Sequence, residues 1–454
     1  MPLDIVILAA GQGKRIQSRL PKVLHPLAGK PLLTHIMNTA QQLNPEKIMI
    51  IYGHGGDQIR AALADLPVQW IEQKQQLGTG HALAQAMPSI DQNAKVLILL
   101  GDTPIISLPT LQQLLASAQN SELSLLTAEL PDPTGLGRII RNNAGKVIAI
   151  VEEKDATPEQ RQLRETNTGI MVISARQLTR WLPALKNNNA QGEYYLTDII
   201  AMAVSEGINI NAIQANSYEE VLAVNDRIQL AQLERAQQKQ QAEKLMRAGV
   251  TLLDPARFDL RGEAQIASDV TIDVNVILEG QVSIGANTYI GPNTLLRNVR
   301  IGENVIINAN TVIEDAIIEN NCEVGPFARL RPGTCLKQGA HVGNFAEIKN
   351  SEVGEGTKIH HVSYMGDTTL GKNVNIGAGT IVCNYDGANK HKTIIEDNAF
   401  VGSNSSLIAP ITIGENATIG AGSAVRGNVP ANALAITRAE QRIVEKWQRP
   451  AKKK

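Results

Sequence analysis

A glycine-rich turn near the amino terminus carries residue types that hold phosphate groups. The string Leu8-Ala9-Ala10-Gly11-Gln12-Gly13-Lys14-Arg15 follows an aliphatic run, and Pro21-Lys22 comes shortly after it. Glycines let backbone N–H groups approach phosphate oxygens, and Arg15 and Lys22 add positive charge. A dinucleotide-binding turn is the obvious alternative, but Ile16 stands where its third glycine belongs. The turn therefore predicts a phosphate site of another kind.

Further polar residues extend this candidate site. Gly101-Asp102 follows the aliphatic run Val96–Leu100, and parallel sheets bind ligands at the carboxyl ends of their strands. The Asp102 carboxylate suits Mg²⁺ bridging phosphates, although it could also cap the next turn. Gln73 and Gly78-Thr79 lie in a polar loop suited to the edge of a base. Gly137, Glu152 and Asn167 could hold sugar hydroxyls, although each alone is also ordinary turn or surface chemistry.

A second group of chemically capable residues lies in the C-terminal half. Cys383 to Lys392 form a polar loop, and the loop is accompanied by cationic, imidazole and amide side chains: Arg331, Lys349, His360, His361, Tyr364 and Asn375. Amine acylation needs a base for the amine proton and cations for a phosphorylated acceptor. His361 is the candidate base, although His360 beside it leaves the choice open and a solvated histidine is the ordinary alternative.

A six-residue repeat surrounds this second group. Aliphatic residues recur every six positions from Ile266 to Val425, with slips of register at Ile301 and Val353, and glycine often follows at once, as at Gly285 and Gly291. This hexapeptide pattern predicts a parallel β-helix whose coils bury their aliphatic rows on one another. An aromatic content of 3% fits the narrow interior. The alternative is that the solenoid is only a rigid scaffold.

The first half of the chain has a different pattern. Six short aliphatic runs read as buried strands: 5–10, 47–52, 96–100, 124–126, 147–151 and 170–173. Amphipathic stretches 31–43 and 108–118 between them predict helices, so we expect a mostly parallel, Rossmann-like α/β sheet. A Gln- and Leu-rich stretch predicts one long linking helix. The predicted domains are thus 1–227, a linker helix at 228–248, and a β-helix at 249–454.

Composition restricts the partners of the protein. The formal net charge of the 454 residues is −1, so no global field favours nucleic acid or anionic lipid. No signal sequence or long apolar stretch is evident, so we expect no membrane partner and a cytoplasmic location. Cys322, Cys335 and Cys383 lack metal or disulfide spacing and are expected to be small buried thiols. The terminal Lys452-Lys453-Lys454 is expected to be a solvated tail.

The N-terminal motifs together resemble a known family. The string Leu8 to Arg15 with Pro21-Lys22 resembles the signature of sugar-1-phosphate nucleotidyltransferases. Further matching pieces span the rest of the chain: Gln73 to Thr79, Gly101-Asp102, Asn167-Thr168-Gly169, Gly192 to Asp198, Val224-Asn225 and the hexapeptide half. With these, the chain resembles the bacterial bifunctional family that acetylates glucosamine 1-phosphate and then uridylylates the product, for peptidoglycan and lipopolysaccharide precursors.

The resemblance implies roles for the N-terminal residues. Asp102 and Asn225 would hold Mg²⁺, and Arg15 and Lys22 would steady UTP while the phosphate of N-acetylglucosamine 1-phosphate attacks it and pyrophosphate leaves. The remaining implied contacts are backbone and side-chain groups for the nucleotide and the amino sugar: Leu8, Ala9, Ala10, Gly11, Gln73, Gly78, Thr79, Leu100, Gly101, Gly137, Glu152 and Asn167. Leu100, Gln12 and Lys14 depart from common choices in the family, which we expect to affect affinity.

The resemblance also implies roles in the C-terminal half. The segment His361 to Asp367 matches the family's His-x-x-Tyr-x-Gly-Asp and favours His361 as the base. Residues implied to bind glucosamine 1-phosphate are Arg331, Lys349, Tyr364, Asn375, Asn384 and Tyr385, and those implied to bind acetyl coenzyme A are Ala378, Ser403, Ala421 and Arg438. In this family the β-helix is left-handed and forms homotrimers.

Two alternatives remain at this point. One is another sugar-1-phosphate nucleotidyltransferase, such as an ADP-glucose-forming enzyme, in which the β-helix does no chemistry. The segment His361 to Tyr364 and the loop at Asn384-Tyr385 argue against it. The other is a catalytically silent scaffold, which would not require Arg15, Lys22, Asp102 and Asn225.

Overall fold

The chain forms two compact units, each described here by itself. A computed structural model describes residues 1–450 and 452; the end of the predicted basic tail, Lys453 and Lys454, lies outside the described residues. The units are Met1–Gln237 and Gln238–Lys454. The division falls within a helix that runs from Arg227 to Arg247, where the sequence predicts a linker. In the described part of the chain, no helix is both long and apolar enough to cross a membrane.

The first unit is built on a nine-stranded sheet. Its strands are Leu3–Ala9, Lys47–Tyr52, Gln69–Glu72, Lys95–Leu100, Leu123–Glu129, Arg138–Arg141, Val147–Val151, Glu165–Ser174 and Ile210–Gln214. The main order across the sheet is 210–214, 123–129, 165–174, 95–100, 3–9, 47–52 and 69–72. Strand 165–174 runs antiparallel to both neighbours, while the other pairs in this order are parallel. The predicted mostly parallel sheet is confirmed.

Both faces of this sheet are covered, which explains the uninterrupted aliphatic runs. In the strand 3–9, Ile5 and Ile7 point into one core cluster and Val6 points into the other. Side chains alternate between faces, so a strand covered on both sides needs an apolar residue at every position. The helices of the unit are Leu32–Gln41, Gly56–Ala62, Thr79–Ala86, Leu108–Ser117, Pro158–Arg161, Ala175–Trp181 and Asp198–Ser205. Two of them, 32–41 and 108–117, lie where the sequence predicts helices.

The second unit consists of short strands that all pair in parallel. One sheet has eleven strands: Thr251–Leu252, Thr271–Ile272, Tyr289–Ile290, Ile306–Ile307, Glu323–Val324, His341–Asn344, Lys358–His361, Asn375–Ile376, Phe400–Val401, Thr418–Ile419 and Leu434–Ala435. The other has seventeen: Phe258–Ile266, Val276–Ile284, Leu295–Arg297, Arg300–Ile301, Val312–Glu314, Ile317–Ile318, Arg329–Leu330, Cys335–Leu336, Glu347–Lys349, Glu352–Val353, Tyr364–Gly366, Thr368–Leu370, Ile381–Cys383, Thr393–Ile395, Ser406–Ile408, Ile411–Ile413 and Ala424–Val425.

The register of these strands shows a β-helix with three strands in a coil. Ile306 pairs with Glu323, which pairs with His341 in the next coil. The aliphatic position of each hexapeptide points inward, and Val324, Leu330 and Leu336 in one coil are buried. The inward rows form a single apolar core along the unit. The predicted parallel β-helix is confirmed.

One coil is longer than the others and carries the polar loop. Asn375 pairs with Phe400, whereas the preceding coil joins Lys358 to Asn375. The extra residues lie between the strands Ile381–Cys383 and Thr393–Ile395. The chain therefore leaves the β-helix at the place where the sequence pattern is interrupted, and it brings a loop of polar side chains next to a rigid frame.

Candidate functional sites

A cleft of about 610 Å³ opens at the carboxyl ends of the central strands of the first unit. It lies where the strands 3–9 and 95–100 end, as expected for a parallel sheet. Predicted residues that line it are Leu8, Ala9, Ala10, Gly11, Lys22, Gln73, Gly78, Thr79, Leu100 and Asp102. The glycine-rich turn, the predicted base-binding loop and the carboxylate after the second strand thus share one cavity.

Lys22 joins the two predicted metal ligands. Its Nζ forms an ion pair with Asp102 and lies 3.4 Å from Oδ1 of Asn225. Both side chains of the ion pair are largely buried, and the Val224 N–H donates to the Asp102 carbonyl at 2.9 Å, which holds the segment before Asn225 against Asp102. Two oxygen ligands therefore converge on a point that already accommodates a positive charge. This arrangement fits a divalent cation completed by phosphate oxygens.

The glycine-rich turn is shaped by close contact with Lys22. Gly13 has φ of +59°, and a Cβ at this residue would lie 2.9 Å from the Cβ of Lys22. A side chain there would be strained and would displace the lysine. Arg15 is exposed on the following turn, Lys14–Ile16, and is not among the residues that line the cleft. Its predicted contact with a phosphate ligand remains a prediction.

The predicted base-binding loop is held by the segment Gly192 to Asp198. Gly78 has φ of +109° and packs against the backbone of Tyr194, where a Cβ would lie 2.6 Å from the carbonyl oxygen. Thr79 Oγ1 accepts a hydrogen bond from the Leu196 N–H at 3.0 Å. These contacts explain why two motifs far apart in the sequence occur together: one supports the other at the wall of the cleft.

The predicted sugar-binding residues form a cluster of their own, and none of the three is among the residues that line the cleft. The Asn167 N–H donates to the Gly137 carbonyl at 2.8 Å, and a Cβ on Gly137 would lie 3.3 Å from Oε2 of Glu152. Glu152 Oε1 accepts from the Thr197 hydroxyl at 3.0 Å. Burial raises the pKa of Glu152, partly offset by that hydrogen bond, and the nearby Asp155 and Asp198 raise it further. The structure brings Gly137, Glu152 and Asn167 together.

Several residues that line the cleft were not predicted to have roles. They are Gln12, Lys14, Val23, Gln76, Ala82 and Glu193, and they lie beside Gly13, whose backbone was expected to approach phosphates. Gln12 and Lys14 lie inside the glycine-rich string and were noted only as departures from the family. Glu193 lies in the Gly192 to Asp198 motif, so the signal was present without an assigned role. Gln76 is held at the cleft by the loop itself, since its Nε2 donates a hydrogen bond to the Gln73 carbonyl at 2.9 Å.

In the second unit, His361 is oriented by a residue of the preceding coil. Its Nδ1 lies 2.8 Å from Oδ1 of Asn344, and the two residues are paired in register. With Asn344 accepting, Nδ1 carries the proton and Nε2 is left as the basic nitrogen. His361 is exposed, whereas His360 is partly buried with its ring 4.4 Å from that of His341. Burial and these neighbouring histidines lower the pKa of His360.

The predicted acetyl coenzyme A residues continue the column that begins at His361. Lys358 pairs with Asn375, Asn375 with Phe400, and Phe400 with Thr418 in successive coils. His361 lies three residues after the first of these, and Ala378, Ser403 and Ala421 lie three residues after the others, so all four share one column. Backbone hydrogen bonds between successive coils support this alignment, since the Asn404 N–H donates to the Ala378 carbonyl at 2.8 Å. Arg438 lies alongside, 3.6 Å from the place of a Cβ on Gly422.

Cationic side chains lie on the next face. Lys349 follows Arg331 by one coil and pairs in register with Gly366. Arg331 donates to Glu347 at 2.8 Å, which anchors its guanidinium. The Lys390 side chain from the polar loop lowers the pKa of Lys349, and desolvation and Arg331 add to this effect. The Glu347 and Asp367 carboxylates offset only part of the positive charge gathered here, so the arrangement fits a phosphate group.

Tyr364 and Asn384 meet above Gly366. A Cβ on Gly366 would lie 2.5 Å from the Tyr364 hydroxyl and 2.7 Å from Nδ2 of Asn384, which donates to Asp367 at 2.5 Å. Burial alone would raise the pKa of Asp367, but hydrogen bonds from Asn350 and Asn384 and the nearby lysines lower it. Only a residue without a side chain leaves room for this arrangement.

Two predicted sugar-binding residues are not joined to this cluster. Asn375 lies on the eleven-stranded sheet between Lys358 and Phe400, whereas Tyr364 lies on the other sheet. Tyr385 is exposed on the loop, and its hydroxyl donates to the Gly387 carbonyl at 2.6 Å. Asp386 orders the loop by accepting from the Asn389 N–H at 2.7 Å. Roles for Asn375 and Tyr385 stay predictions.

The prediction that all three cysteines are buried is wrong. Cys322 is buried, and burial raises the pKa of its thiol to about 11, but Cys335 is half-buried and Cys383 is exposed. Inward-pointing Val382 precedes Cys383 on its strand, so the alternation of side chains turns the thiol outward. No disulfide is formed by these free thiols. Within residues 1–450 and 452, no group of three or more His, Cys, Asp or Glu side chains could hold a metal.

Comparisons with known proteins match both units. The profile of the MobA-like NTP transferase domain matches residues 5–252, that of the GMPPB C-terminal domain matches 260–342, and that of the hexapeptide repeat of succinyl-transferase matches 392–426. The bifunctional protein GlmU of Marinobacter nauticus is 54% identical over 451 residues, with 99% of each chain covered. That of Legionella pneumophila (strain Lens) is 54% identical over 458 residues, covering 100% of this chain and 99% of the relative. A solved UDP-glucose pyrophosphorylase complexed with UDP-glucose is 18% identical, with a TM-score of 0.45, covering 53% of this chain and 100% of that one.

Proposed function

Since this chain belongs to the family of bifunctional GlmU proteins, we propose that each of its units catalyses one step of UDP-N-acetylglucosamine synthesis. The β-helix unit transfers an acetyl group from acetyl coenzyme A to glucosamine 1-phosphate. The α/β unit then transfers UMP from UTP to N-acetylglucosamine 1-phosphate, and pyrophosphate is released. The observation that carries the proposal is the convergence of Asp102 and Asn225 on Lys22, at a cleft that Lys22, Asp102 and the glycine-rich turn line.

The α/β unit acts mainly by positioning and charge neutralisation. In the transfer, an oxygen of the sugar phosphate forms a bond to the α-phosphorus of UTP while the bond to the departing pyrophosphate breaks. Backbone groups from Leu8 to Gly11 and the side chains of Arg15 and Lys22 would hold the triphosphate. Gly101 positions Asp102, and together with Asn225 this carboxylate would bind Mg²⁺, which would neutralise phosphate charge when bound. Gln73, Gly78 and Thr79 would contact uracil, and Gly137, Glu152 and Asn167 would contact the amino sugar.

The β-helix unit supplies a base and an anion site. The amine nitrogen of glucosamine 1-phosphate attacks the thioester carbonyl carbon, the carbon–sulfur bond breaks, and the coenzyme A thiolate leaves. Nε2 of His361 takes the amine proton, because Nδ1 is committed to Asn344. Arg331 and Lys349 would bind the phosphate of the acceptor. Tyr364, Asn384, Asn375 and Tyr385 would bind its hydroxyls and amine.

Acetyl coenzyme A would lie along the column below His361. Ala378, Ser403 and Ala421 offer small residues in successive coils, so a long extended cofactor could lie close to the backbone. The Arg438 guanidinium would bind a phosphate of the cofactor. A left-handed β-helix, a homotrimer and a cytoplasmic location are also part of this proposal, on the strength of the family resemblance. Sharing of acetyl sites between copies would account for the position of Asn375 and Tyr364 on different sheets.

A two-step reconstitution tests the proposal. Purified protein is given glucosamine 1-phosphate, acetyl coenzyme A and UTP, and thiol release and pyrophosphate release are followed separately. With glucosamine 1-phosphate as the only sugar, we expect His361→Ala to abolish thiol release and therefore also the pyrophosphate release that depends on it. When N-acetylglucosamine 1-phosphate is supplied directly, His361→Ala should release pyrophosphate normally. Asp102→Ala should abolish pyrophosphate release under both conditions and leave thiol release unchanged. Pyrophosphate release without any thiol release in the unmodified protein would instead indicate a nucleotidyltransferase with a non-catalytic β-helix.

A further inference from the structure

The Gln73 amide is buried beside the cleft, and its two ends have different surroundings. The residue is 3% exposed and lines the cavity. Its Nε2 donates to the Gly78 carbonyl at 3.2 Å and lies 3.0 Å from Nδ1 of His81. Among the described residues, Oε1 of Gln73 has no hydrogen-bond partner. It is also absent from the set of fully buried polar atoms without a partner, so it keeps some exposure. Gln73 therefore offers a hydrogen-bond acceptor to the cleft.

Two acceptors fix the amide in this orientation. A backbone carbonyl can only accept a hydrogen bond, so the Gly78 carbonyl requires the nitrogen of the amide. Nδ1 of His81 accepts the second N–H, which places the imidazole proton on Nε2. A flipped amide would bring Oε1 against the Gly78 carbonyl oxygen, and it could keep a hydrogen bond to the ring only if the imidazole proton moved from Nε2 to Nδ1. His81 thus acts on the cleft only through Gln73.

His81 is itself held in place by its helix. It lies in the first turn of Thr79–Ala86, directly after the predicted base-binding residues Gly78 and Thr79. Gln85, one turn later, donates to the His81 carbonyl at 3.1 Å and lies 3.3 Å from Nε2 of the ring. With Nε2 protonated, the Gln85 amide donates to the His81 carbonyl only, and its contact with the ring is not a hydrogen bond. The ring is therefore held by its helix and by the Gln73 amide at Nδ1.

We propose that His81 is a positioning residue that sets the base selectivity of the cleft. The inference rests on the proposed uridylyl transfer and adds to it the means of choosing between pyrimidines. Uracil has an N3–H donor on its pairing edge, whereas cytosine has an N3 lone pair beside an amino group. An acceptor locked at Gln73 forms a hydrogen bond with the N3–H of uracil and meets the lone pair of cytosine without one. Buried polar groups left unpaired in this way give strong discrimination between ligands.

The experiment compares His81→Phe and His81→Gln in the full-length protein. Phenylalanine keeps the ring and removes both nitrogens, and glutamine restores an acceptor that can face the Gln73 amide. kcat/KM is measured for UTP, CTP and 5-methyluridine triphosphate with N-acetylglucosamine 1-phosphate. We expect the UTP-to-CTP ratio to fall about tenfold in His81→Phe and to recover in His81→Gln. The ratio of UTP to 5-methyluridine triphosphate should stay the same, because both bases have an N3–H.

Three results would contradict the role of His81 or the function on which it rests. An unchanged UTP-to-CTP ratio in His81→Phe, with an unchanged melting temperature, overturns the role of His81. An equal loss for all three nucleotides also overturns it, because that would be a general structural effect. If His81→Phe does not fold, His81→Leu takes its place, and thermal unfolding followed by circular dichroism reports whether the α/β unit is folded. Failure of the unmodified protein to use UTP would instead contradict the proposed function itself.

Discussion

Asn344 and His361 are hydrogen-bonded at 2.8 Å although they are separated by a whole coil of the β-helix. The parallel register stacks the two residues, so the backbone of one coil positions the acceptor for the imidazole of the next. An imidazole held through Nδ1 has a defined tautomer and a free basic nitrogen at Nε2. The proposed base therefore needs a partner that the local motif around His361 does not contain.

Replacing Asn344 tests this partnership. Asn344→Leu keeps the side-chain size and removes the acceptor, and we expect kcat of acetyl transfer to fall about 10- to 100-fold with little change in KM. Asn344→Asp keeps an acceptor and adds a negative charge that stabilises the imidazolium. A higher pH is then needed for the neutral base, so the acidic limb of the pH–rate profile should move upward by about one unit. Identical profiles for Asn344→Asp and the unmodified protein would contradict the assignment.

The ammonium group of Lys22 lies between Asp102 and Asn225, where a metal ion is proposed to bind. Lys22→Met removes the ammonium that pairs with Asp102 and lies near Asn225. We expect UMP transfer to fall about 100-fold or more, since a charge that supports the triphosphate is lost. In the absence of nucleotide, Mn²⁺ should bind more tightly to this variant, because the lysine no longer competes for the same oxygens. Calorimetric titration with Mn²⁺ measures this directly, and Asp102→Asn, which weakens the site, is the control.

Gly366 provides a steric test of the acetyl-transfer site. The Cβ of Gly366→Ala would lie 2.5 Å from the Tyr364 hydroxyl and 2.7 Å from the Asn384 amide nitrogen. We expect these side chains to be displaced and acetyl transfer to fall at least about tenfold, while UMP transfer is unchanged. Gly427→Ala is the matched control in the same unit, since a Cβ there meets nothing within 4 Å. Equal activity of the two alanine variants would show that the Tyr364 and Asn384 arrangement is not needed.

The β-helix could be predicted in detail because every coil repeats the same constraint. The inward aliphatic position recurs six residues on, so a local pattern is enough. The strand 165–174 was predicted only at 170–173, because its first half carries threonines. The structure buries Thr166 and Thr168 and satisfies their hydroxyls with the carbonyls of Ala128 and Leu126, at 3.0 Å and 2.8 Å. Polar residues satisfied by a neighbouring strand cannot be recognised as core residues from their own sequence.

The candidate sites also contain residues that a local sequence pattern predicts and residues that only contacts in the fold reveal. Residues in short motifs, such as the string at 8–15 and the segment at 361–367, could be found because the motif itself is local. Asn344 and His81 could not be assigned a role, since their importance arises from pairing across coils or from the orientation of a buried amide. Asparagines and helical histidines are common, and only the register and the hydrogen-bond partner distinguish these two from the others.

Glu152 links stability to the binding of the sugar. Burial raises its pKa above the ordinary value, so the folded state favours the protonated form. The stabilisation that this brings is fully present below the pKa of the unfolded state and is lost as the pH rises through the folded pKa. Glu152→Gln removes the buried charge and can still accept from Thr197. We therefore expect the free energy of unfolding of the α/β unit to rise by about 1 kcal/mol at pH 8, with a smaller gain near pH 5, while KM for N-acetylglucosamine 1-phosphate increases. Urea unfolding at the two pH values measures the difference. Glu165→Gln, whose carboxylate pKa is lowered by Arg141, is the control and should destabilise the unit at pH 8; a gain in both variants would contradict the role of burial.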